Sequence, residues 1–190
     1  MFYKRLLPIL QPKTPALRLI RPTLAVLVML LLVPTGSNVG KAEVLPAREA
    51  VPSMLSPIVD EAGNGFTMKQ LAEGPVLLNF WATWCAPCVA ELPALSRAAA
   101  ALADDGVTVV LVSVDRGGAQ KAVPFLDRSG VSGVTLGFDQ RAKLSREMGV
   151  RGLPTTLLLT AGQTDAWRFI GPLEWDDPDV LGMVRGLLDG

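Results

Sequence analysis

No histidine occurs among the 190 residues, and there are only two cysteines, Cys85 and Cys88. These shortages remove several kinds of chemistry. A structural zinc site takes four ligands, and two cysteines without a histidine cannot supply them. Attachment of a c-type haem requires histidine directly after the second cysteine of a Cys-x-x-Cys pair, whereas position 89 is Val89. A cysteine nucleophile activated by histidine has no base to use. Basic charge is scarce beyond the N-terminus. Residues 1–42 hold Lys4, Arg5, Lys13, Arg18, Arg21 and Lys41 and no acid, so residues 43–190 carry 12 basic against 18 acidic groups, a net charge of −6. A body of that sign lacks the basic footprint that nucleic acid requires.

Long apolar runs are also missing. The N-terminal run TLAVLVMLLLV spans residues 23–33, 11 residues, and stops at Pro34. A membrane span needs about 20 such residues, and the apolar part of an export signal about 7–15. A basic stretch, this run and the turn-forming PTGSNVGKAE together predict an export signal. Gly40-Lys41-Ala42 puts small residues at both required positions of a cleavage site. The long basic region leaves a retained membrane anchor as the alternative. Without a cysteine after the run, a lipoprotein is excluded. In both cases the basic end stays cytoplasmic, and the acidic domain is delivered across the membrane to a periplasmic location. Residues 43–56, within a stretch rich in proline, read as a linker or arm, and 57–190 as the folded domain.

Strand and helix patterns alternate along that domain. PVLLNFWA (75–82) and VTVVLVSVD (107–115) are nearly continuous apolar runs, as expected of parallel strands covered on both faces. Helices are expected from Cys85 to about 103, over 119–130 and over 140–149, with a short strand at 134–139. Strands at 155–160 and 165–171 form a hairpin, and a last helix over 176–188 starts at Asp176 or Asp177. The sum is an α/β sandwich with helices on both faces of a central, mostly parallel sheet that ends in an antiparallel C-terminal hairpin.

On this reading Cys85 opens a helix directly after a strand, and Cys88 follows one turn later on the same side. The spacing suits the Cα separation of about 5.5 Å that a disulfide needs. Unpaired amide N–H groups and the positive end of the helix dipole lower the pKa of a thiol at this position below its free value of about 8.5. Pro87 falls in the first turn, where its missing N–H costs little. Structural bridges usually close longer loops, because long loops give more stabilisation. A ring this small staples almost nothing, and the spacing favours redox chemistry.

NFWATWCAPCVAELPAL (79–95) resembles the thioredoxin superfamily, and within it the membrane-associated TlpA, ResA and CcmG (DsbE) group of thiol:disulfide reductases. The likeness covers roughly 55–188, including a helix–strand insert at about 119–139, the loop GLPTT (152–156) and GPLEW (171–175). It implies a thioredoxin-like fold and protein-disulfide reductase activity, with Cys85 and Cys88 as the redox-active, catalytic pair. Residues alone favour a trans bond before Pro154, since about 5–6% of X–Pro bonds in folded proteins are cis. The resemblance makes Pro154 a cis-proline facing the cysteines, with the Leu153 backbone free to pair with an extended substrate.

Glu91, three residues after Cys88, sits at the edge of a helix stripe and by itself reads as a solvated side chain. The resemblance makes it a catalytic acid that exchanges protons with a thiol. Asn79 stands where thioredoxins bury an aspartate; it cannot titrate and reads as a satisfied structural amide. Trp84 is expected over the active-site loop and, with Pro87, Leu153 and Pro154, at the substrate surface. For Trp175, core packing and partner contact remain equally open. No metal, nucleotide or other cofactor is implied. The resemblance implies disulfide-bearing partners, apocytochrome c or a copper-site assembly factor, and a membrane electron donor of the DsbD/CcdA type. Two alternatives share the fold. A peroxiredoxin-like thiol peroxidase needs Thr or Ser three residues before its attacking cysteine, where this chain has Ala82. A copper-binding chaperone normally adds histidine and wider cysteine spacing.

Overall fold

The continuous apolar runs form the middle of the sheet because each must be covered on both faces. Strand β4 (Val76–Trp81) is buried at every position, and β5 (Thr108–Ser113) lies parallel to it with Leu78 opposite Val110. Strand β6 (Thr135–Phe138) continues the parallel set. On the other side of β4, β7 (Thr155–Leu159) pairs antiparallel, with Asn79 opposite Thr156, and β8 (Asp165–Ile170) completes the expected hairpin. This computed structural model describes residues 46–52, 55–71 and 73–189. The expected export signal or anchor over 1–42 lies outside the described residues.

Three short strands extend the sheet beyond the expected set. Strand β1 (Ala47–Ala50), from the segment read as a linker or arm, pairs antiparallel with β8. Strands β2 (Ile58–Val59) and β3 (Gly65–Phe66) form a hairpin on β6, giving the order β1-β8-β7-β4-β5-β6-β2-β3. The parallel part is thus β4–β5–β6, and antiparallel additions at both edges make the whole sheet mixed. Gly137 makes room for the N-terminal hairpin, since a Cβ there would lie 2.4 Å from Ile58 Cδ1.

Alternation along β4 divides the core. Leu77 and Trp81 face one side, with Leu92 and Leu95 of helix α2 (Ala86–Ala101), Leu126 of α3 (Ala119–Arg128) and Val184 of α5 (Pro178–Asp189). Val76, Leu78 and Phe80 face the other, with Met68 of α1 (Met68–Leu71) and Leu144 of α4 (Lys143–Glu147). Each fully buried leucine in these layers stabilises the fold by about 1.5–3 kcal/mol. Asn79 shares the parity of Leu77 and Trp81 and so points at α2.

Helix ends follow their caps. Helix α4 begins at Lys143 rather than 140, because the Asp139 carboxylate accepts the Lys143 and Ser145 amide N–H groups at 2.7 and 2.8 Å. For α5, Asp177 accepts the Asp179 N–H at 2.9 Å. Helix α2 runs through Pro93 without ending.

Candidate active site

Cys85 occupies the N-cap of α2, with extended backbone (φ −92°, ψ 96°), and its carbonyl accepts the Val89 N–H at 3.0 Å. Its sulfur accepts the Cys88 N–H at 3.4 Å, so one of the helix's otherwise unpaired donors already points at Sγ. No acidic residue lies in the first turn of α2 to oppose a thiolate. Cys85 and Cys88 are joined in a disulfide with Cα atoms 5.3 Å apart. Cys85 is 6% exposed and Cys88 fully enclosed, an asymmetry that gives an incoming partner only the first sulfur.

The loop that delivers Cys85 is tied down from β5. Asp115, just past the end of that strand, accepts the Thr83 N–H at 2.8 Å and the Thr83 hydroxyl at 2.9 Å. Ser113 donates to the same carboxylate at 3.1 Å, and Lys121 Nζ of α3 stands 2.8 Å from Oδ1. Burial works to raise the Asp115 pKa, but Lys121 and the Thr83 donors outweigh it and hold the group below the usual aspartate value. Asp115 belongs to no motif in the sequence. Its signal was a lone carboxylate closing an apolar strand at the carboxyl edge, where α/β sheets place their sites.

Trp84 projects outward, 67% exposed, instead of closing over the disulfide. Together with Cys85, Pro87, Val114, Val150 and Leu153 it lines a groove of about 570 Å³. Arg146 and Arg151, both exposed, add cationic groups to that lining. The Leu153–Pro154 peptide is cis, and Pro154 is buried. No hydrogen bond engages the Leu153 backbone among the described residues, whereas the Pro154 carbonyl accepts the Gly171 N–H at 3.0 Å.

Glu91 departs from the solvated side chain that its helix position suggested. It is 4% exposed and faces β4. Asn79 Nδ2 donates to Oε1 at 2.8 Å, while the Leu173 amide and the Trp175 indole N–H both donate to Oε2 at 3.1 Å. Burial raises its pKa to about 6, against the pull of these three donors and with a small addition from the nearby Glu174 charge. Asn79 also donates to Thr156 Oγ1 at 2.9 Å, but its own Oδ1 has no partner among the described residues, so the amide is only partly satisfied. Trp175 is fully buried, edge-on to Phe169 with ring centres 5.3 Å apart. Its place is the core, and its polar edge serves Glu91. The arrangement thus unites a sulfur pair at a helix tip, a buried carboxyl on the next turn and a groove open to an extended chain.

Comparison with known proteins gives the family and the fold. A profile of the AhpC/TSA family matches residues 47–164. The thiol:disulfide interchange protein HelX of Rhodobacter capsulatus is 35% identical over 133 residues, covering 70% of this chain and 72% of the relative. The thiol:disulfide interchange protein DsbE of Escherichia coli K12 is 33% identical over 133 residues, covering 67% of this chain and 68% of its own. A Chlorobium tepidum protein assigned as a DsbE-type thiol:disulfide interchange protein superposes with a TM-score of 0.64 at 24% identity, over 74% of this chain and 97% of that one. The chain therefore belongs to the AhpC/TSA family, among relatives of the HelX and DsbE kind.

Proposed function

We propose that the protein is a periplasmic thiol:disulfide oxidoreductase that works in the reducing direction on disulfides of partner proteins. The observation that carries the exchange chemistry is the paired placement of the sulfurs, Cys85 at the N-cap of α2 on the groove and Cys88 sealed one turn inside, while the reducing direction rests on the sequence resemblance. In the reduced protein the Cys85 thiolate attacks one sulfur of the substrate disulfide. That bond breaks, a mixed disulfide forms, and the released substrate sulfur takes a proton. Cys88 then gives its proton to the Glu91 carboxylate and attacks Cys85 Sγ. The mixed disulfide breaks, the second substrate sulfur takes the proton held by Glu91, the substrate leaves as a dithiol, and two electrons have moved from the protein to its partner. Trp84, Pro87 and Leu153 form the surface along which the substrate lies, and the buried Pro154 follows Leu153 through the cis bond that shapes this wall. Position 82, where a peroxidase of this fold would need a hydroxyl, is a buried alanine.

The names of the relatives support thiol–disulfide interchange as the activity. The finer assignments rest on the sequence resemblance. They are reduction of the haem-attachment cysteines of apocytochrome c, or of a copper-site assembly factor, and recharging by a membrane donor of the DsbD/CcdA type. Periplasmic delivery by the N-terminal segment, as a cleaved signal or a tether, rests on its charge and apolar pattern. No helix of the described residues is long and apolar enough to cross a membrane.

The test is a trap. Cys88→Ser leaves Cys85 able to attack but removes the group that resolves the mixed disulfide. The variant is expected to accumulate disulfide-linked adducts through Cys85, and mass spectrometry of these names the partner. A Cys88→Ser protein that captures nothing more than a Cys85→Ser control contradicts the proposal.

A further inference from the structure

We propose that the segment 171–175, through the Leu173 amide and the Trp175 indole, is the positioning element for Glu91 and sets the pH at which that carboxyl exchanges its proton. The inference rests on the proton-exchange role given to Glu91 above. The chain reaches this segment 80 residues after Glu91, yet it contributes two of the three donors that hold the carboxylate. Both fall on Oε2 and use that oxygen's acceptor capacity. Oε1, with one donor from Asn79, keeps a lone pair free for a proton. The segment therefore selects the oxygen that titrates.

The same five residues reach the substrate side. Gly171, at their start, donates its N–H to the Pro154 carbonyl at 3.0 Å, next to Leu153 on the groove wall. Trp175, at their end, is locked by burial and by its edge-on contact with Phe169. A chain pinned at both ends and hydrogen-bonded to Glu91 in the middle fixes the carboxyl relative to the substrate loop. The nearby charge of Glu174 adds a small upward push on Glu91, while Arg97 and Asp176 pair with each other at 2.6 Å. From β4 and β7 the facing groups are the neutral Asn79 and Thr156, and from its own helix Cys88 lies one turn away. Loss of an N–H donor destabilises the charged carboxylate more than the neutral acid, because hydrogen bonds to a charged group are the stronger ones. Its effect is therefore an upward shift of the titration.

The experiment follows the Glu91 carboxyl directly by carbon NMR across a pH series in the full-length protein. The same series records the rate of exchange with a synthetic peptide carrying an internal disulfide. Trp175→Phe keeps a ring beside Phe169 and removes the N–H. A second variant, with the benzothiophene analogue of tryptophan at position 175 alone, keeps the full shape of the side chain and also lacks the donor. Both are expected to move the Glu91 midpoint upward by about one to two pH units, the shift produced by losing one hydrogen bond to a charged group. The pH dependence of exchange is expected to move with it. An unchanged midpoint in the folded benzothiophene variant overturns the inference. A shifted midpoint with an unmoved rate profile supports the positioning role and contradicts the proton-exchange role of Glu91 itself.

Discussion

Glu91 and Asp115 are both closed off from water, and they respond to pH in opposite senses. The Glu91 pKa is raised from 4.5 to about 6, so the folded protein holds that proton more tightly than the unfolded chain does. Its charged form is a cost that is absent below the unfolded value and complete above the folded one. Across that window stability falls as pH rises, by about 2 kcal/mol for a shift of this size. Asp115 is lowered, so its contribution is present above the unfolded value of 3.8 and is lost only as pH falls through its folded pKa. The two windows do not overlap. Between a pH below 4.5 and neutral pH the stability of wild type relative to Glu91→Gln is therefore expected to drop by about 2 kcal/mol, measured by urea unfolding of the oxidised proteins. A difference that stays flat across that range contradicts the buried placement of Glu91. The sulfur pair was legible residue by residue, because its chemistry depends on local spacing. The burial of Glu91 was not, since the indole that meets it lies 84 positions along the chain and the helix stripe alone suggested water.

At the scale of elements, the active-site loop is held by one carboxylate rather than by regular structure. Thr83 gives Asp115 two hydrogen bonds, and Lys121 offsets the charge from α3. Asp115→Ala removes these together and is expected to cost about 3 kcal/mol in urea unfolding, with faster hydrogen exchange at the Thr83 amide. If that amide keeps its protection, the loop is held by something else. The long strands and helices could be read from their period, and Asp177 was visible as the start of α5. Helix α4 starts three residues later than its pattern suggested, because Asp139 caps it from outside the helix. Strands β1, β2 and β3 have two to four residues each, too few to show an alternation. Strand β1 is held by distant partners such as Arg168, which bridges its Glu49 to the Met148 carbonyl, and β2 by its pairing with β6.

Across the whole molecule, the site lies where the carboxyl ends of two neighbouring parallel strands meet. Strand β4 leads into the Cys85 loop, and β5 leads into Asp115, which holds that loop. Such a crevice outside the strand ends is the usual position for a site on an open α/β sheet. The alternation of strand and helix made this architecture legible, and the Cys-x-x-Cys pair identified which strand end mattered. That Cys88 would be the shielded sulfur followed from its place one turn into the helix, whereas the near-closure of Cys85 did not, because its depth depends on the groove wall built by α4 and the 150–153 loop. That depth supports the central claim, that Cys85 is the ionising, attacking sulfur and Cys88 the enclosed, resolving one. The most direct measurement is the ultraviolet thiolate titration of Cys88→Ser, in which Cys85 is the single thiol. The midpoint is expected clearly below the ordinary thiol value of about 8.5. A midpoint at or above that value contradicts the account, because the helix N-terminus would then give Cys85 no advantage as a nucleophile.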